Sequence, residues 1–393
     1  MRLSVGFQRL VILLCLSATT IGMLPVFLVG ALAGEIRGDL AASEATIGVL
    51  VASFFAVSAA ATRAGGGYVQ KWGWPVGIIV VGLLVATSAA LIASVQLGIV
   101  FLAFTLMVAG VGNGLSHPSA NLGLVKSISA NRRGMAFGVK QASVPAATLL
   151  AGAALPFIAV DFGWRAPFAM LAVFSVAVGG LAWLLTSRVD EGKIDSSEVA
   201  DVSIERPGII LLSIGAGLGS AAANSMGAFL VLYALHLGAE PRAAGVLLMA
   251  GSVVNIAVRL LSGWQADRRE GGHLRIAAIM MFIGAGGVVI LALSPNTSVL
   301  IVATLIAFGI GWGWNGLLHH GAMEIYENSA ATATAVIQSF LFLGAVIGPL
   351  VFGLTAEYVS FRASWMLVAL SLGVAGLLLL RFLGSREAPQ GTT

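Results

Sequence analysis

Costly polar side chains stand at matched places in two long apolar stretches of the sequence. Asn113, His117 and Asn121 recur every four residues in the first stretch, and Asn315 and His319 repeat that spacing in the second. Residues four apart share one face of a helix. An imidazole or an amide is expensive in hydrocarbon unless it serves a function. The repeated spacing therefore predicts two related polar faces that line one cavity.

Lys140 adds a cation to this pattern. It lies roughly two turns into a predicted fifth helix, level with the His117 face of the antiparallel fourth helix. All 17 acidic residues fall in loops, in tails or near predicted helix ends, so Lys140 has no obvious internal counter-ion. Because a cation in a low dielectric needs an anionic partner, Lys140 predicts an anionic solute. Snorkelling of its side chain towards the headgroups is the alternative.

Two more side chains extend the predicted site. Asn224 could add an amide contact, and Trp312 could stack on a ring or an acyl face of the solute. The structural alternatives are hydrogen bonding between helices for the amides and imidazoles, and simple packing for the tryptophan. His320 points elsewhere on its helix. The predicted substrate-binding set is Lys140, His117, Asn113, Asn121, His319, Asn315, Asn224 and Trp312.

Composition indicates that these residues are carried by membrane-spanning helices. The chain has 393 residues, 58% of them hydrophobic and only 10% charged, whereas soluble domains have about a quarter charged residues. Apolar runs of about 20 residues, each long enough to cross a bilayer, recur along the chain. The short alternating segments of a membrane barrel are absent from the sequence. The predicted helices span residues 9–33, 44–63, 75–94, 98–125, 135–158, 164–186, 208–235, 243–263, 274–294, 298–323, 332–356 and 362–383.

The charged residues organise these segments. A polar linker, residues 187–207, separates an N-terminal half, residues 1–186, from a C-terminal half, residues 208–393. Lysine and arginine concentrate in the loops of one side, and the other side carries only four arginines, so both termini are predicted to be cytoplasmic. The expected location is the cytoplasmic (inner) membrane. The four predicted outside arginines are Arg37, Arg165, Arg242 and Arg362.

Gly263 is followed by Asp267 and Arg268, and Gly66 is followed at the same spacing by Gln70 and Lys71. This pattern resembles the turn motif of the major facilitator superfamily, in which a glycine is followed by an acid and a base. The first-half copy has glutamine where the family has the acid. Helix eleven adds the glycine and proline pattern that is common in the same family. The residues that carry the resemblance are Gly66, Gln70, Lys71, Gly73, Gly263, Asp267, Arg268, Gly344, Gly348, Pro349 and Gly353.

The resemblance covers essentially the full chain, and it is specific for fold rather than for substrate. It implies an all-α membrane protein whose twelve transmembrane helices form two pseudo-symmetric six-helix halves. It further implies a central cavity lined by helices one, four, seven and ten, and cytoplasmic turns that act as a gate. The predicted gating set is Arg63, Gln70, Lys71, Arg259, Gly263, Asp267 and Arg268.

Missing motifs narrow the function further. The sequence has no phosphate loop of the G-x-x-x-x-G-K-[ST] type, so ATP is not the direct energy source within this chain. A single cysteine, Cys15, cannot form an internal disulfide or a metal cluster. The basic balance is explained by the membrane topology rather than by nucleic acid. We therefore expect no cofactor, no metal site and no enzymatic activity.

The sequence thus predicts a monomeric secondary active transporter that moves a small organic anion, such as a carboxylate, by alternating access. Protons are the expected coupling ion if His117 or His319 titrates near neutral pH. The alternative is an efflux antiporter of neutral or anionic drugs or metabolites, because the predicted cavity has no acid that would bind cationic drugs. A membrane receptor and a channel are disfavoured, since neither a signalling domain nor a re-entrant filter is visible.

Overall fold

The structure is a computed structural model that describes residues 5–95, 98–129, 136, 139–186, 206–266, 268, 271–294 and 297–387. Every secondary-structure element in these ranges is helical. Twelve helices are long and apolar enough to cross a membrane, which confirms the predicted fold class. They are α1 (Gly6–Ala31), α2 (Glu44–Trp72), α3 (Trp74–Ser94), α4 (Ile99–Ser127), α5 (Val139–Phe162), α6 (Ala166–Thr186), α7 (Gly208–His236), α8 (Pro241–Ala266), α9 (His273–Ala292), α10 (Ser298–Ile325), α11 (Thr332–Tyr358) and α12 (Phe361–Ser385).

The second helix of each half is longer than predicted. The sequence analysis ended α2 at Arg63 and α8 at residue 263, but α2 continues to Trp72 and α8 to Ala266. The glycines after Arg63 do not end the helix, because a glycine costs a helix only about 1 kcal/mol relative to alanine. The α2 helix ends instead at Gly73, whose φ of 89° favours glycine. The prediction that the second helix ends at Arg63 is therefore wrong.

The chain forms two compact units. The first combines Met1–Asp195 with Gly227–Met249, and the second combines Ser196–Met226 with Ala250–Thr393. The end of α7 and the start of α8 thus belong to the first unit. The predicted boundaries of the halves stay a prediction, and most of the predicted linker, residues 187–205, lies outside the described residues.

Close backbone contacts explain why the end of α7 and the start of α8 pack in the first unit. A Cβ atom added at Gly30 of α1 would lie 2.7 Å from the Cα of Ala228 in α7. A Cβ atom added at Gly245 of α8 would lie 2.8 Å from the carbonyl oxygen of Gly152 in α5. Small residues let helices in lipid approach closely enough for backbone dispersion contacts to hold them together.

Three of the four arginines predicted on the outside are ion-paired within the first unit. The predicted orientation of the termini stays a prediction. The pairs and their shortest nitrogen–oxygen distances are Arg37–Glu44 at 2.8 Å, Arg165–Asp39 at 2.7 Å and Arg242–Asp161 at 2.6 Å.

The Arg165–Asp39 ion pair predicts how the stability of the protein depends on pH. Donation by Arg165, and then by the indole of Trp164 at 3.1 Å, lowers the pKa of the Asp39 carboxyl from its ordinary value. A lowered carboxyl pKa contributes stability above the unfolded pKa of about 3.9, and this stability is lost as pH falls through the folded pKa. Because the pair is largely exposed, we expect Asp39→Asn to destabilise the protein by less than about 1 kcal/mol at neutral pH.

Apparent melting temperatures of wild type and the Asp39→Asn variant, compared at about pH 7 and about pH 3, test this prediction. The difference should shrink at the lower pH. A difference that grows on acidification would contradict the assignment of the carboxylate as the stabilising form.

The G-V-G-N-G stretch of α4 is a packing face against α2. A Cβ atom added at Gly110 would lie 2.7 Å from the carbonyl oxygen of Phe54. Ser58 donates to the Gly110 carbonyl at 3.0 Å, and Thr62 donates to the Gly114 carbonyl at the same distance. Each such interhelical hydrogen bond contributes about 0.6 kcal/mol in membrane proteins. These contacts fix α4, which carries His117.

Candidate functional site

Lys140 and His117 form a buried pair in the first unit. The Lys140 side chain is 4% exposed, and its Nζ lies 3.2 Å from Nδ1 of His117. An ammonium has no lone pair, so it donates and the neutral imidazole nitrogen accepts. Cys15 of α1 lies close to Lys140 on a third helix. In the described part of the chain, Lys140 forms no ion pair with a carboxylate.

The two asparagines on either side of His117 differ in their surroundings. Asn113 is fully buried and donates through Nδ2 to the Ser58 hydroxyl at 3.0 Å, which matches the alternative of hydrogen bonding between helices. Its Oδ1 has no hydrogen-bond partner among the described residues. Asn121 is exposed, one turn beyond His117 on the other side. The shared face therefore runs from the helix interface at Asn113 to an open surface at Asn121.

The tenth helix is interrupted in the second unit. A π-helical segment, Leu305–Ile310, is followed by a turn over residues 311–314, and the regular helix resumes as Asn315–Ile325. Such π turns disturb the regular ladder and leave carbonyl groups in need of other donors. The interruption coincides with the predicted site residue Trp312.

Side chains of α8 supply donors to these carbonyls. Asn255 Nδ2 lies 3.0 Å from the carbonyl oxygens of both Phe308 and Gly309. Arg259 Nη2 donates to the carbonyl of Trp312 at 3.1 Å. The sequence analysis assigned Arg259 to the gate, and this role stays a prediction. The structure shows one contact of Arg259 with the interrupted segment of α10.

The two units repeat these contacts at corresponding positions, which the sequence analysis missed. The Gly-Val-Leu sequence starts at positions 48 and 245, and Ser58 and Asn255 each lie ten residues further on. Thr62 and Arg259 each lie fourteen residues further on. In both units, these side chains donate to backbone carbonyls of the fourth or tenth helix. Aligning the two helices on their Gly-Val-Leu sequences and comparing the residues that follow would have identified these donors.

The remaining predicted binding residues lie in the second unit. Asn224 is buried and donates to the Ser220 carbonyl at 2.9 Å, while its Oδ1 has no hydrogen-bond partner among the described residues. Trp312 is buried and packs edge-on against a phenylalanine ring 4.9 Å away. Asn315 and His319 are half-buried on the regular part of α10. Their role in binding stays a prediction.

The predicted gating residues lie at the ends of α2 and α8. Arg63, Gln70, Lys71 and Gly263 are exposed. Arg268 stacks over the Trp264 ring at 3.9 Å from its centroid. Asp267 lies outside the described residues. A gating role for this set stays a prediction.

A pair of histidines joins the adjacent ends of α9 and α10. The His273 and His320 rings meet edge-on at 4.6 Å, and His273 Nε2 lies 3.7 Å from a Glu324 carboxylate oxygen. His320 also lines a cavity of about 390 Å³ together with Met323, Glu324 and Glu327. Among the described residues, no group of three or more metal-ligating side chains could hold an ion.

Comparison with known proteins gives relatives over most of the chain. Monocarboxylate transporter 11 of Mus musculus is 24% identical over 327 residues, which cover 75% of this chain and 69% of the relative. The crystal structure of a bacterial homolog of the human lysosomal transporter Spinster, inward-facing and occupied, has a TM-score of 0.77, 16% identity and 98% coverage of both chains.

The crystal structure of a D-xylose–proton symporter has a TM-score of 0.79 and 17% identity, and the match covers 96% of this chain and 98% of that one. At such identities the solved structures establish the fold alone. The sequence profile described as Major Facilitator Superfamily matches residues 10–338, which is most of the chain. The twelve helices, the repeated contacts of the two units and this match together show that the chain belongs to the Major Facilitator Superfamily.

Proposed function

We propose that the chain is a secondary active transporter that carries a small organic anion, first of all a carboxylate, by alternating access. The observation that carries this proposal is the buried Lys140, whose nearest polar partner is a neutral imidazole rather than a carboxylate. Desolvation destabilises an ammonium that lacks an opposite charge. A bound carboxylate supplies that charge. The name of the relative, a monocarboxylate transporter, supports the same class of solute.

A second cation supports an anionic solute. Arg259 lies in the other compact unit and donates to the carbonyl of Trp312, beside the predicted binding face of α10. A guanidinium carries a positive charge, and its planar fork of donors matches the geometry of a carboxylate. We propose that Arg259, which the sequence analysis assigned to the gate, also favours an anionic solute through its charge.

The rest of the proposal concerns topology and coupling. We propose a monomer in the cytoplasmic membrane with both termini in the cytoplasm, built from the halves 1–186 and 208–393 and the linker 187–207. The concentration of lysine and arginine in the predicted loops of one side supports this orientation. We propose protons as the coupling ion, supported by the titratable His117 next to Lys140.

A thermal-shift screen of the purified full chain tests the solute class. The ligands are the sodium salts of acetate, lactate, pyruvate and succinate, each paired with its uncharged amide. A ligand at about 100 times its Kd stabilises the folded state by about 2.7 kcal/mol, so a carboxylate that binds should raise the melting temperature clearly. Its amide should not. Equal shifts for acid and amide, or no shift with any carboxylate, would contradict the proposal.

The rival function is efflux of neutral or anionic compounds. Growth of cells with and without the protein, in the presence of toxic neutral and anionic compounds, separates the two functions. The proposal expects the same tolerance in both strains, together with uptake of the binding carboxylate into proteoliposomes. Increased tolerance without carboxylate uptake would favour the efflux antiporter.

A further inference from the structure

The Lys140–His117 bond limits how many protons the pair can hold. A hydrogen bond between two nitrogens needs one donor hydrogen and one lone pair. With Lys140 charged, Nδ1 of His117 must be unprotonated to accept the bond at 3.2 Å. If both groups were protonated, two cations would face each other in a buried site and neither could accept. The closed pair therefore carries a single positive charge.

A bound anion changes this limit. A carboxylate that accepts the hydrogen bonds of the Lys140 ammonium frees Nδ1 of His117, and its negative charge offsets the repulsion between two protonated groups. His117 can then take one proton from water at Nδ1. The complex of two protonated side chains and one monoanion carries a charge of +1, the same as the empty pair. The loaded and the empty site therefore present the same charge to the hydrocarbon, which avoids an added cost of crossing.

Resting on the function proposed above, we infer that the Lys140–His117 pair is the coupling element and that His117 takes up one proton for each monoanion bound at Lys140. Binding replaces the bond from Lys140 to His117 with a bond from Lys140 to the carboxylate, and the proton from water goes to Nδ1. Release of the anion restores the first bond and expels that proton. Proton and anion binding thus strengthen each other reciprocally.

Two other titratable groups could compete for this role. Cys15 of α1 faces Lys140, and a thiol is neutral at physiological pH in its ordinary state. Glu35 lies in a short helix, Ala33–Leu40, that follows α1, and its Oε2 is buried without a hydrogen-bond partner among the described residues. Burial raises the pKa of Glu35 from its ordinary value. Both residues therefore belong in the test as separate variants.

Isothermal titration calorimetry of the purified full chain with pyruvate provides the test. Titrations in two buffers of different ionisation enthalpy give the number of protons taken up per anion bound. Pyruvate stays ionised from about pH 6 to about pH 8, so any proton taken up goes to the protein. Wild type should take up close to one proton, and its affinity should rise about tenfold for each unit fall in pH.

The His117→Asn variant separates the acceptor role from the proton. The asparagine oxygen can accept the Lys140 bond but cannot be protonated, so pyruvate should still bind, with no proton uptake and an affinity independent of pH. The His320→Asn, Cys15→Ala and Glu35→Gln variants should behave like wild type. Melting temperatures check that each variant is folded.

Each result bears on one of the two claims. Pyruvate binding by wild type without proton uptake, or proton uptake that survives in His117→Asn, would overturn the inference and leave anion transport standing. Loss of proton uptake in Glu35→Gln but not in His117→Asn would also overturn it and assign coupling to the carboxyl group. If wild type binds none of the carboxylates of the thermal-shift screen, the proposed function fails and the inference falls with it.

Discussion

Replacing Lys140 with methionine is expected to reduce the affinity for pyruvate by at least about 30-fold. Removing one partner of a buried, hydrogen-bonded charge pair costs about 2–5 kcal/mol, and each 1.4 kcal/mol is a factor of ten. Affinity for an uncharged analogue, pyruvamide, should change little, because no charge pair is lost. The melting temperature of the empty protein should not fall, since the variant removes a desolvated charge that lacks a carboxylate partner.

Lys126→Gln is the matched control for this prediction. Lys126 belongs to the last turn of α4. The substitution Lys126→Gln therefore lowers the net charge by one, as Lys140→Met does, but leaves the buried Lys140–His117 pair intact. Calorimetry on the two variants and wild type gives the affinities directly. Equal weakening for pyruvate and pyruvamide in Lys140→Met would mean that the side chain supports packing rather than an anion.

The second large effect is expected from Gly344→Val in α11. A Cβ atom added at Gly344 would collide with the carbonyl oxygen of Gly217 in α7 and would lie 3.0 Å from the backbone nitrogen of Ala221. Backbone cannot move aside as the end of a side chain can, so α7 and α11 would have to separate. Overpacking typically costs about 1–3 kcal/mol, and we expect the upper end of this range because the colliding atoms are backbone. We expect a large drop in melting temperature and poor recovery of folded protein.

Gly286→Val in α9 is the control for the collision, because an added Cβ atom at Gly286 meets nothing within 4 Å. Both substitutions place the same β-branched residue in a membrane helix. Melting temperatures of the two variants that agree within about 2 °C would contradict the close packing of α7 and α11.

The number and order of the helices could be predicted because each crossing leaves a long apolar run. Helix ends were harder, since the glycines after Arg63 indicate a turn in water but remain helical in the structure. A glycine lowers the stability of a helix by about 1 kcal/mol without ending it. The loss of apolar character after residues 63 and 263 does not show where the backbone hydrogen bonds stop, so α2 and α8 were predicted too short.

The candidate site could be predicted only in part. The antiparallel run of the fourth and fifth helices indicated that Lys140 is level with His117, and the two side chains are in contact in the structure. Spacing alone could not tell that Asn113 faces Ser58 of α2, because the register between two helices is set by packing. The hydroxyl donors Ser58 and Thr62 were missed because a serine or threonine scarcely changes the hydropathy of an apolar helix.

The sequence analysis did not predict the π-helical interruption of α10. Its residues, Leu305–Ile310, are as apolar as the rest of the helix. The interruption became visible only through the donors that satisfy it, Asn255 and Arg259 of α8. A polar side chain in one membrane helix can therefore mark a backbone break in its neighbour as well as a binding site.

A high-resolution structure of the full chain in saturating pyruvate tests the central claim most directly. The account predicts density for the carboxylate within hydrogen-bonding distance, about 3 Å, of Lys140 Nζ, with the Lys140–His117 distance opened beyond about 3.5 Å. Pyruvate bound away from Lys140, or a Lys140 side chain that faces acyl chains or headgroups, would contradict it.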